Sequence, residues 1–143
     1  RTLSKLMAGD GEGATKLLIC QVDGAATLDM ARTVAKSVIC STLFKAAMFG
    51  ADANWGRVLC AMGYSKAPFR PEFVDVKFSS AVGEILVCEK GAGVDFDEEN
   101  AKSILSQDEV VIHVDLHEGE HEATCWGCDL TYDYVKINGD YRT

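Results

Sequence analysis

The sequence predicts an α+β fold in which helices pack on a β-sheet. Short apolar or alternating runs typical of strands occur near both ends of the chain. Between them, apolar residues recur at the 3–4 spacing of helices that are buried on one side. The predicted order is a strand, two or three helices, two strands, a helix, a hairpin and a short final helix. This order is typical of α+β proteins whose sheet becomes mostly antiparallel towards the end of the chain.

The first half of the chain contains one predicted strand and the main helical region. The run Lys16–Val22 is almost continuously apolar, as expected for a buried strand. Each of the three helical segments that follow begins at a residue typical of an N-cap. These capping residues are Thr27, Ser41 and Asn54. Gly50 and Gly63 end the second and third segments.

The second half is richer in predicted strands. Alternating or short apolar runs predict strands at Phe73–Phe78, Glu84–Cys88 and Val110–Leu116. Asp97 caps a helix that begins with acidic residues. A turn through residues 118–120 then returns as His121–Trp126, which predicts a β-hairpin with the preceding strand. Thr131 is expected to cap a last short helix that Gly139 closes.

Length and charge limit the classes of function. The 143 residues suit a single domain, and the formal net charge of −8 comes without any cluster of Lys and Arg. Nucleic acid is therefore not an expected partner. No apolar stretch reaches the roughly 18 residues of a membrane span, so no membrane is expected either. Because the chain opens with Arg1, an upstream segment is expected.

Cysteine usage indicates a reducing compartment. Four of the six cysteines lie in apolar runs, where a free thiol behaves as a small apolar side chain. These four are Cys20, Cys40, Cys60 and Cys88.

Three segments carry residues suited to chemistry, each with a structural alternative. The glycine-rich loop 9–13 precedes a strand, so it does not fit a phosphate-binding loop. It predicts a tight turn, although Asp10 and Glu12 could each point a carboxylate into a cleft. The segment Asp52–Arg57 fits a helix start in which Trp55 docks on the core and Arg57 pairs with an acid. A possible zinc site is formed by His117, His121, Cys125 and Cys128, but their spacing on a strand disfavours one tetrahedral ion.

Four motifs, taken together, resemble the signatures of the ornithine acetyltransferase family. They occur in order along the whole chain: Asp10–Lys16 (DGEGATK), Phe49–Arg57 (FGADANWGR), Trp126–Thr131 (WGCDLT) and Tyr134–Thr143 (YVKINGDYRT). The resemblance implies a β-sheet sandwich with outer helices, like that of autoprocessed aminopeptidases. The final motif resembles the acetyltransferases specifically.

The resemblance also implies an activity. Members of this family transfer an acetyl group from N-acetylornithine to glutamate in arginine biosynthesis, and some also accept acetyl-CoA. The precursor cuts itself before a threonine, which becomes the nucleophile with its own amine as base. Residues 1–143 are then expected to form a single domain that is the C-terminal part of the β chain. This domain is expected to carry no catalytic residue, metal or cofactor of its own. Its expected partners are the α chain and the rest of the β chain in an α2β2 assembly, located in the cytoplasm or, in a eukaryote, the mitochondrial matrix.

The family's substrate-binding positions correspond to Glu12, Asn138 and Thr143. A carboxylate at Glu12 suits the free ammonium group of acetylornithine, and an amide and a hydroxyl suit the rest of an amino acid. The alternative function is a non-catalytic module that is stabilised by zinc or that binds an amino acid.

Overall fold

In the computed structural model, residues 16–129 and 136–137 are described, and they form seven strands, four helices and one 3-10 turn. The strands are β1 (Leu17–Ala25), β2 (Asp75–Ser80), β3 (Gly83–Glu89), β4 (Ala92–Gly93), β5 (Glu109–Asp115), β6 (His121–Cys128) and β7 (Lys136–Ile137). The helices are α1 (Leu28–Ile39), α2 (Thr42–Phe49), α3 (Trp55–Tyr64) and α4 (Glu98–Leu105), and the 3-10 turn is Pro71–Phe73. The strands form one sheet in the order β4-β3-β2-β5-β1-β6-β7.

Strand β1 lies inside the sheet, between two strands that come from the end of the described chain. It runs parallel to β5, with Leu17 opposite Glu109. It runs antiparallel to β6, with Leu17 opposite Cys128. Two parallel strands need a crossover connection between them. The chain that joins β1 to β5 contains all four described helices and strands β2 to β4.

The four helices contribute to one buried core on a single face of the sheet. Alternate residues of the strands point to this face, which we call the helix-covered face. On β1 and β5 these residues are Leu18, Cys20, Val22, Val110, Ile112 and Val114. Helix α1 contacts β1 and β6, whereas α4 contacts β2 and β3. This single apolar layer is the main stabilising feature of the fold.

Four of the five predicted helix caps are confirmed, and the fifth, Thr131, lies outside the described residues. In each case a side-chain oxygen accepts a backbone N–H that has no partner within the helix. The bonds are Met30 N to Thr27 Oγ1 (3.0 Å), Phe44 N to Ser41 Oγ (3.1 Å), Arg57 N to Asn54 Oδ1 (3.0 Å) and Glu99 N to Asp97 Oδ1 (3.0 Å). Gly50 is the residue that follows α2, as expected, whereas α3 runs one residue past Gly63.

The predicted hairpin between β5 and β6 is wrong. Both strands form, but β1 lies between them and pairs with each. Consecutive strands usually pair, which favoured the hairpin. The almost continuously apolar β1 instead takes the inner position, where both of its edges are hydrogen-bonded.

The predicted final helix is also wrong where the structure describes it. Lys136 and Ile137 form a strand and pair with Trp126 and Cys125 of β6. The expected cap, Thr131, lies outside the described residues.

Two cysteines differ from expectation as well, because Cys40 and Cys60 are exposed while Cys20 and Cys88 are buried.

The predicted α+β class with outer helices is confirmed. The described residues form one mixed sheet with helices packed on one face. Among these residues, no helix is long and apolar enough to cross a membrane.

We predict opposite effects on stability for two glycine-to-alanine changes. A Cβ at Gly93 would lie 2.7 Å from Trp55 Cε2, so Gly93→Ala should lower the free energy of unfolding by about 1–3 kcal/mol through overpacking. A Cβ at Gly63 meets nothing within 4 Å, so Gly63→Ala should raise it by about 0.5–1 kcal/mol through helix propensity. Urea unfolding of both variants measures these differences. Equal effects would contradict the close packing of Trp55 on β4.

Candidate functional site

Lys16 anchors the beginning of β1 to two other elements. Its side chain, in a residue only 9% exposed, donates a hydrogen bond from Nζ to the Met48 carbonyl at the end of α2. Its backbone N–H donates to Asp129 Oδ1, just after β6, at 3.2 Å. The next N–H, that of Leu17, donates to the Asp108 carbonyl at 2.7 Å. The start of β1 is therefore hydrogen-bonded to the end of α2, to Asp129 after β6 and to Asp108 before β5.

The environment of Lys16 suits a buried ammonium group. Carbonyl groups at the end of a helix lack helical partners and carry the negative end of the helix dipole, so they favour a nearby cation. Burial lowers the pKa of Lys16, and the Asp129 carboxylate raises it by a smaller amount. The pKa of Lys16 is therefore below its usual value. The bond to Met48 and the charge of Asp129 offset part of the cost of burying this ammonium.

Two further charged side chains lie in the same region. Asp129 is fully buried and Lys45 is 5% exposed. Burial and the Asp129 carboxylate raise the pKa of the Cys128 thiol, whereas the Lys45 ammonium acts in the opposite direction. We call Lys16, Lys45 and Asp129 the charged cluster.

Two of the four sequence motifs meet at the charged cluster, and a third begins beside it. Lys16 is the last residue of the first motif, and Asp129 belongs to the third. Met48, which accepts the Lys16 bond, directly precedes the second motif. This convergence was missed by sequence reasoning, since it depends on β1 pairing with β6.

The predicted substrate-binding residues Glu12, Asn138 and Thr143 lie outside the described residues. The described residues nearest to them in sequence are those of β1 and β7, and both strands pair with β6. β1, which follows Glu12, pairs with β6 at Cys128. β7, which precedes Asn138, pairs with β6 on its other edge at Cys125. Strand spacings place Leu17 and Ile137 about 14 Å apart.

Trp126 occupies the middle of this region, on the face of the sheet away from the helices. It lies between β1 and β7, opposite Ile19 on one side and Lys136 on the other. The residue is 9% exposed and packs with Leu17 and Ile19. Its indole N–H has no hydrogen-bond acceptor in the described part of the chain.

The segment Asp52–Arg57 has mainly a structural role, as the structural alternative predicted. Asn54 caps α3 and also donates from Nδ2 to Asp52 Oδ2 at 3.2 Å. Trp55 packs against the core and beside Gly93. Arg57 is exposed, and its predicted ion pair stays a prediction because the acidic residues of the undescribed segments could supply the partner.

Comparison with known proteins identifies the family. The model of the ArgJ family matches residues 1–143. The chain belongs to the ArgJ family. It is 57% identical over 141 residues to the arginine biosynthesis bifunctional protein ArgJ 1 of Clostridium acetobutylicum, covering 99% of this chain and 35% of that protein. It is 54% identical over 143 residues to the corresponding ArgJ protein of Caldanaerobacter subterraneus, covering 36% of it.

A solved structure of an ArgJ protein shares this fold. The crystal structure of the arginine biosynthesis bifunctional protein from Bacillus halodurans matches with a TM-score of 0.83 and 45% identity. The match covers 93% of this chain and 61% of that one. The chain thus spans about a third of the length of the curated ArgJ relatives that it matches.

The geometry of this ArgJ chain does not support the zinc alternative. Cys125 lies in the core of the helix-covered face, whereas Cys128 packs on the opposite face. Burial raises the pKa of Cys125 to about 12, so its thiol is protonated at neutral pH and is a poor metal ligand. Among residues 16–129 and 136–137, no three suitable side chains are grouped to hold a metal ion.

A second polar region lies at the far end of the sheet, on the face away from the helices. His117 Nε2 lies 2.8 Å from Asp75 Oδ2, and its Nδ1 lies 3.5 Å from Asp115 Oδ1. Further along this face, Ser79 Oγ lies 2.8 Å from His113 Nε2. Sequence reasoning found no Ser–His pair, since β2 and β5 were not expected to be neighbours. Burial, followed by the Lys77 charge, lowers the pKa of His113.

We predict that His117 stabilises the fold mainly below neutral pH. The hydrogen bond to Asp75 raises the pKa of His117, so its stabilisation is fully present below about pH 6.5 and is lost as pH rises through the folded pKa. His117→Asn, which keeps a residue tolerant of the positive φ of 54°, should therefore reduce stability more at pH 5.5 than at pH 8.5. The pair is exposed, so the difference should be within roughly 0.2–1 kcal/mol.

Urea unfolding at both pH values measures this effect. The matched control is His121→Asn, at an exposed position on β6. An equal loss for His117→Asn at both pH values would show that the charged form of His117 does not stabilise the fold.

Proposed function

We propose that this chain is the substrate-binding part of a glutamate N-acetyltransferase that acts in arginine biosynthesis. The complete enzyme would transfer the acetyl group of N-acetylornithine to glutamate. The chain would supply Glu12, Asn138 and Thr143 to the substrate, and the nucleophilic threonine would lie on a segment outside it.

One observation bears on how the two proposed substrate-binding segments are attached to the fold. The two segments expected to hold substrate adjoin β1 and β7, and both strands pair with β6. Glu12 precedes β1 and Asn138 follows β7, so each is a few residues from a fixed point on the same strand. The proposal requires both segments to turn towards one cavity from attachment points about 14 Å apart.

The proposed reaction has two balanced halves. In the first, the threonine Oγ attacks the acetyl carbonyl of N-acetylornithine, and its proton passes through the threonine's own amine to the departing nitrogen. The amide C–N bond breaks, ornithine leaves and the acetyl group remains as a threonine ester. In the second, the amine of glutamate attacks this ester, the C–O bond breaks and the threonine hydroxyl recovers its proton.

This chain would contribute to the reaction by recognising and orienting the amino acid. Acetylornithine carries a free ammonium at the end of its side chain, which suits a charge-assisted hydrogen bond to the Glu12 carboxylate. The amide of Asn138 and the hydroxyl of Thr143 offer donors and acceptors for the remaining polar groups.

We further propose how the chain is assembled and where it works. The precursor would cut itself to release the threonine, and the α chain and the rest of the β chain would complete an α2β2 enzyme in the cytoplasm. The indole N–H of Trp126, which has no acceptor within the described residues, fits a position that is covered in this larger assembly.

We predict that Glu12→Gln in the complete enzyme weakens the use of N-acetylornithine. Loss of the carboxylate charge should raise KM for this substrate about 10-fold or more, because a hydrogen bond to a charged group is worth roughly 1.5–3 kcal/mol. Steady-state kinetics measure the change. Glu89→Gln, at an exposed position at the end of β3, is the control and should leave KM unchanged. Equal constants for Glu12→Gln and the unaltered enzyme would exclude the proposed role of Glu12.

We also predict that residues 1–143 alone transfer no acetyl group. The segment proposed to carry the nucleophile lies outside them, so no acetyl-threonine ester can form. Incubation with N-acetylornithine and labelled glutamate measures this directly. The control is the complete enzyme under the same conditions, and labelled acetylglutamate formed by the chain alone would refute the division of roles.

A further inference from the structure

We propose that Ser79 and His113 form a second nucleophilic site, which hydrolyses small carboxylic esters that carry no negative charge. The two residues lie on β2 and β5, on the face of the sheet away from the helices. The proposal uses none of the residues assigned to N-acetylornithine, so it goes beyond the proposed function and does not depend on it.

The first observation is the geometry of the pair. Ser79 Oγ lies 2.8 Å from His113 Nε2, within the roughly 2.6–3.2 Å that joins a nucleophile to its general base. The antiparallel ladder of β2 and β5 holds both residues, since Phe78 pairs with Ile112. Strands position functional side chains more accurately than loops do. The hydroxyl and the imidazole are therefore held facing each other.

The second observation is the set of charges around His113. Burial and then the Lys77 ammonium on β2 lower the pKa of His113, and these effects outweigh the Glu84 and Asp23 carboxylates on β3 and β1, which raise it. An imidazole whose pKa lies below its usual value of about 6.5 is mainly neutral at neutral pH. It can then accept the proton of a hydroxyl group, as a general base must.

The third observation is the space on both sides of the pair. Ser79 lines a cavity of about 450 Å³, and His113 lines another of about 280 Å³. A small ester can therefore approach the hydroxyl while its alcohol part lies beside the imidazole. Three carboxylates line the second cavity, those of Asp23, Asp75 and Asp115. Their charge disfavours an anionic substrate.

Lys77 supplies a positive charge beside the pair. It lies opposite His113 in the ladder and lines the same cavity. Its Nζ lies 3.4 Å from Glu84 Oε2, but the two side chains are 41% and 62% exposed, and such surface ion pairs are weak. The ammonium is therefore able to turn towards the negative charge that develops on the ester oxygen during attack.

The proposed hydrolysis is balanced in two steps. In the first, Ser79 Oγ attacks the ester carbonyl carbon, its proton passes to His113 Nε2, and the C–O bond to the alcohol breaks. The alcohol leaves with that proton, and the acyl group remains on Ser79 as an ester. In the second, a water molecule attacks this ester, and the imidazole takes a proton from the water and returns it to the serine oxygen. One ester and one water give one carboxylic acid and one alcohol.

The test is labelling of the complete enzyme with a fluorophosphonate, which reacts with activated serine hydroxyls and loses fluoride. Peptide mass spectrometry locates the adduct, and we expect it on Ser79. His113→Gln should slow this labelling at least about 100-fold, because a general base contributes roughly 10²–10⁴-fold. Ser79→Ala should abolish the part of p-nitrophenyl acetate hydrolysis that labelling removes. Ser80→Ala, at the next position of β2, is the matched control and should change neither measurement.

The pH profile separates a catalytic pair from a hydrogen bond that only joins two strands. Neutral His113 is the base and its pKa is lowered, so the labelling rate should be half-maximal below about pH 6.5. Lys77→Met removes a charge that lowers this pKa, so it should move the half-maximum to higher pH. If His113→Gln does not fold, as judged by circular dichroism, the profiles of the unaltered enzyme and of Lys77→Met decide the question.

The outcomes separate this proposal from the proposed function. The proposal is overturned by the absence of an adduct on Ser79, by equal labelling rates in a folded His113→Gln variant, or by a rate that is constant from about pH 5 to about pH 8. Acetyl transfer from N-acetylornithine, measured in the same samples, should be unchanged in Ser79→Ala. If the unaltered enzyme transfers no acetyl group, the proposed function fails, while the labelling of Ser79 still decides this proposal.

Discussion

The fold depends on the pairing of β1 with two strands that lie far from it in sequence. β5 and β6 form the parallel and antiparallel neighbours of this strand, and each contributes alternate side chains to the core of the helix-covered face. Without β1, the sheet would separate into a β2–β3–β5 part and a β6–β7 part. The helices could not then share one apolar layer, because α1 packs on β1 and β6 while α4 packs on β2 and β3.

The start of the same strand lies in the candidate functional site. Lys16, directly before its first residue, is bonded to the end of α2 and to Asp129, just after β6. Residues of two motifs and the start of a third therefore lie close together, although the motifs are spread over most of the chain. Lys16 and Asp129 are buried with polar partners. In the second motif, Asn54 caps α3 and Trp55 packs beside Gly93.

Local features could be predicted from the sequence, but the neighbours of the strands could not. The four caps at Thr27, Ser41, Asn54 and Asp97 were correct because capping depends on the chemistry of a few adjacent residues. Pairing of β5 with β1, and of β7 with β6, depends on which apolar surfaces bury best together, and residue patterns do not encode this locally. The charged cluster was missed for the same reason, since its residues meet only through the pairing of β1 and β6. The family resemblance, confirmed over residues 1–143, assigned Glu12, Asn138 and Thr143, which no spacing rule would single out.

The parallel pairing of β1 and β5 has a consequence for how the protein is made. Leu17 pairs with Glu109, 92 positions later in the chain, so the inner strand of the sheet is synthesised long before either of its neighbours. Bringing such distant segments together is entropically costly and slows folding. The capped helices and the β2–β3 ribbon involve short loops and can form while the ribosome is still adding residues. The entry to β1 would take its final place only when the last strands emerge, so the proposed binding region would be among the latest parts of this chain to mature.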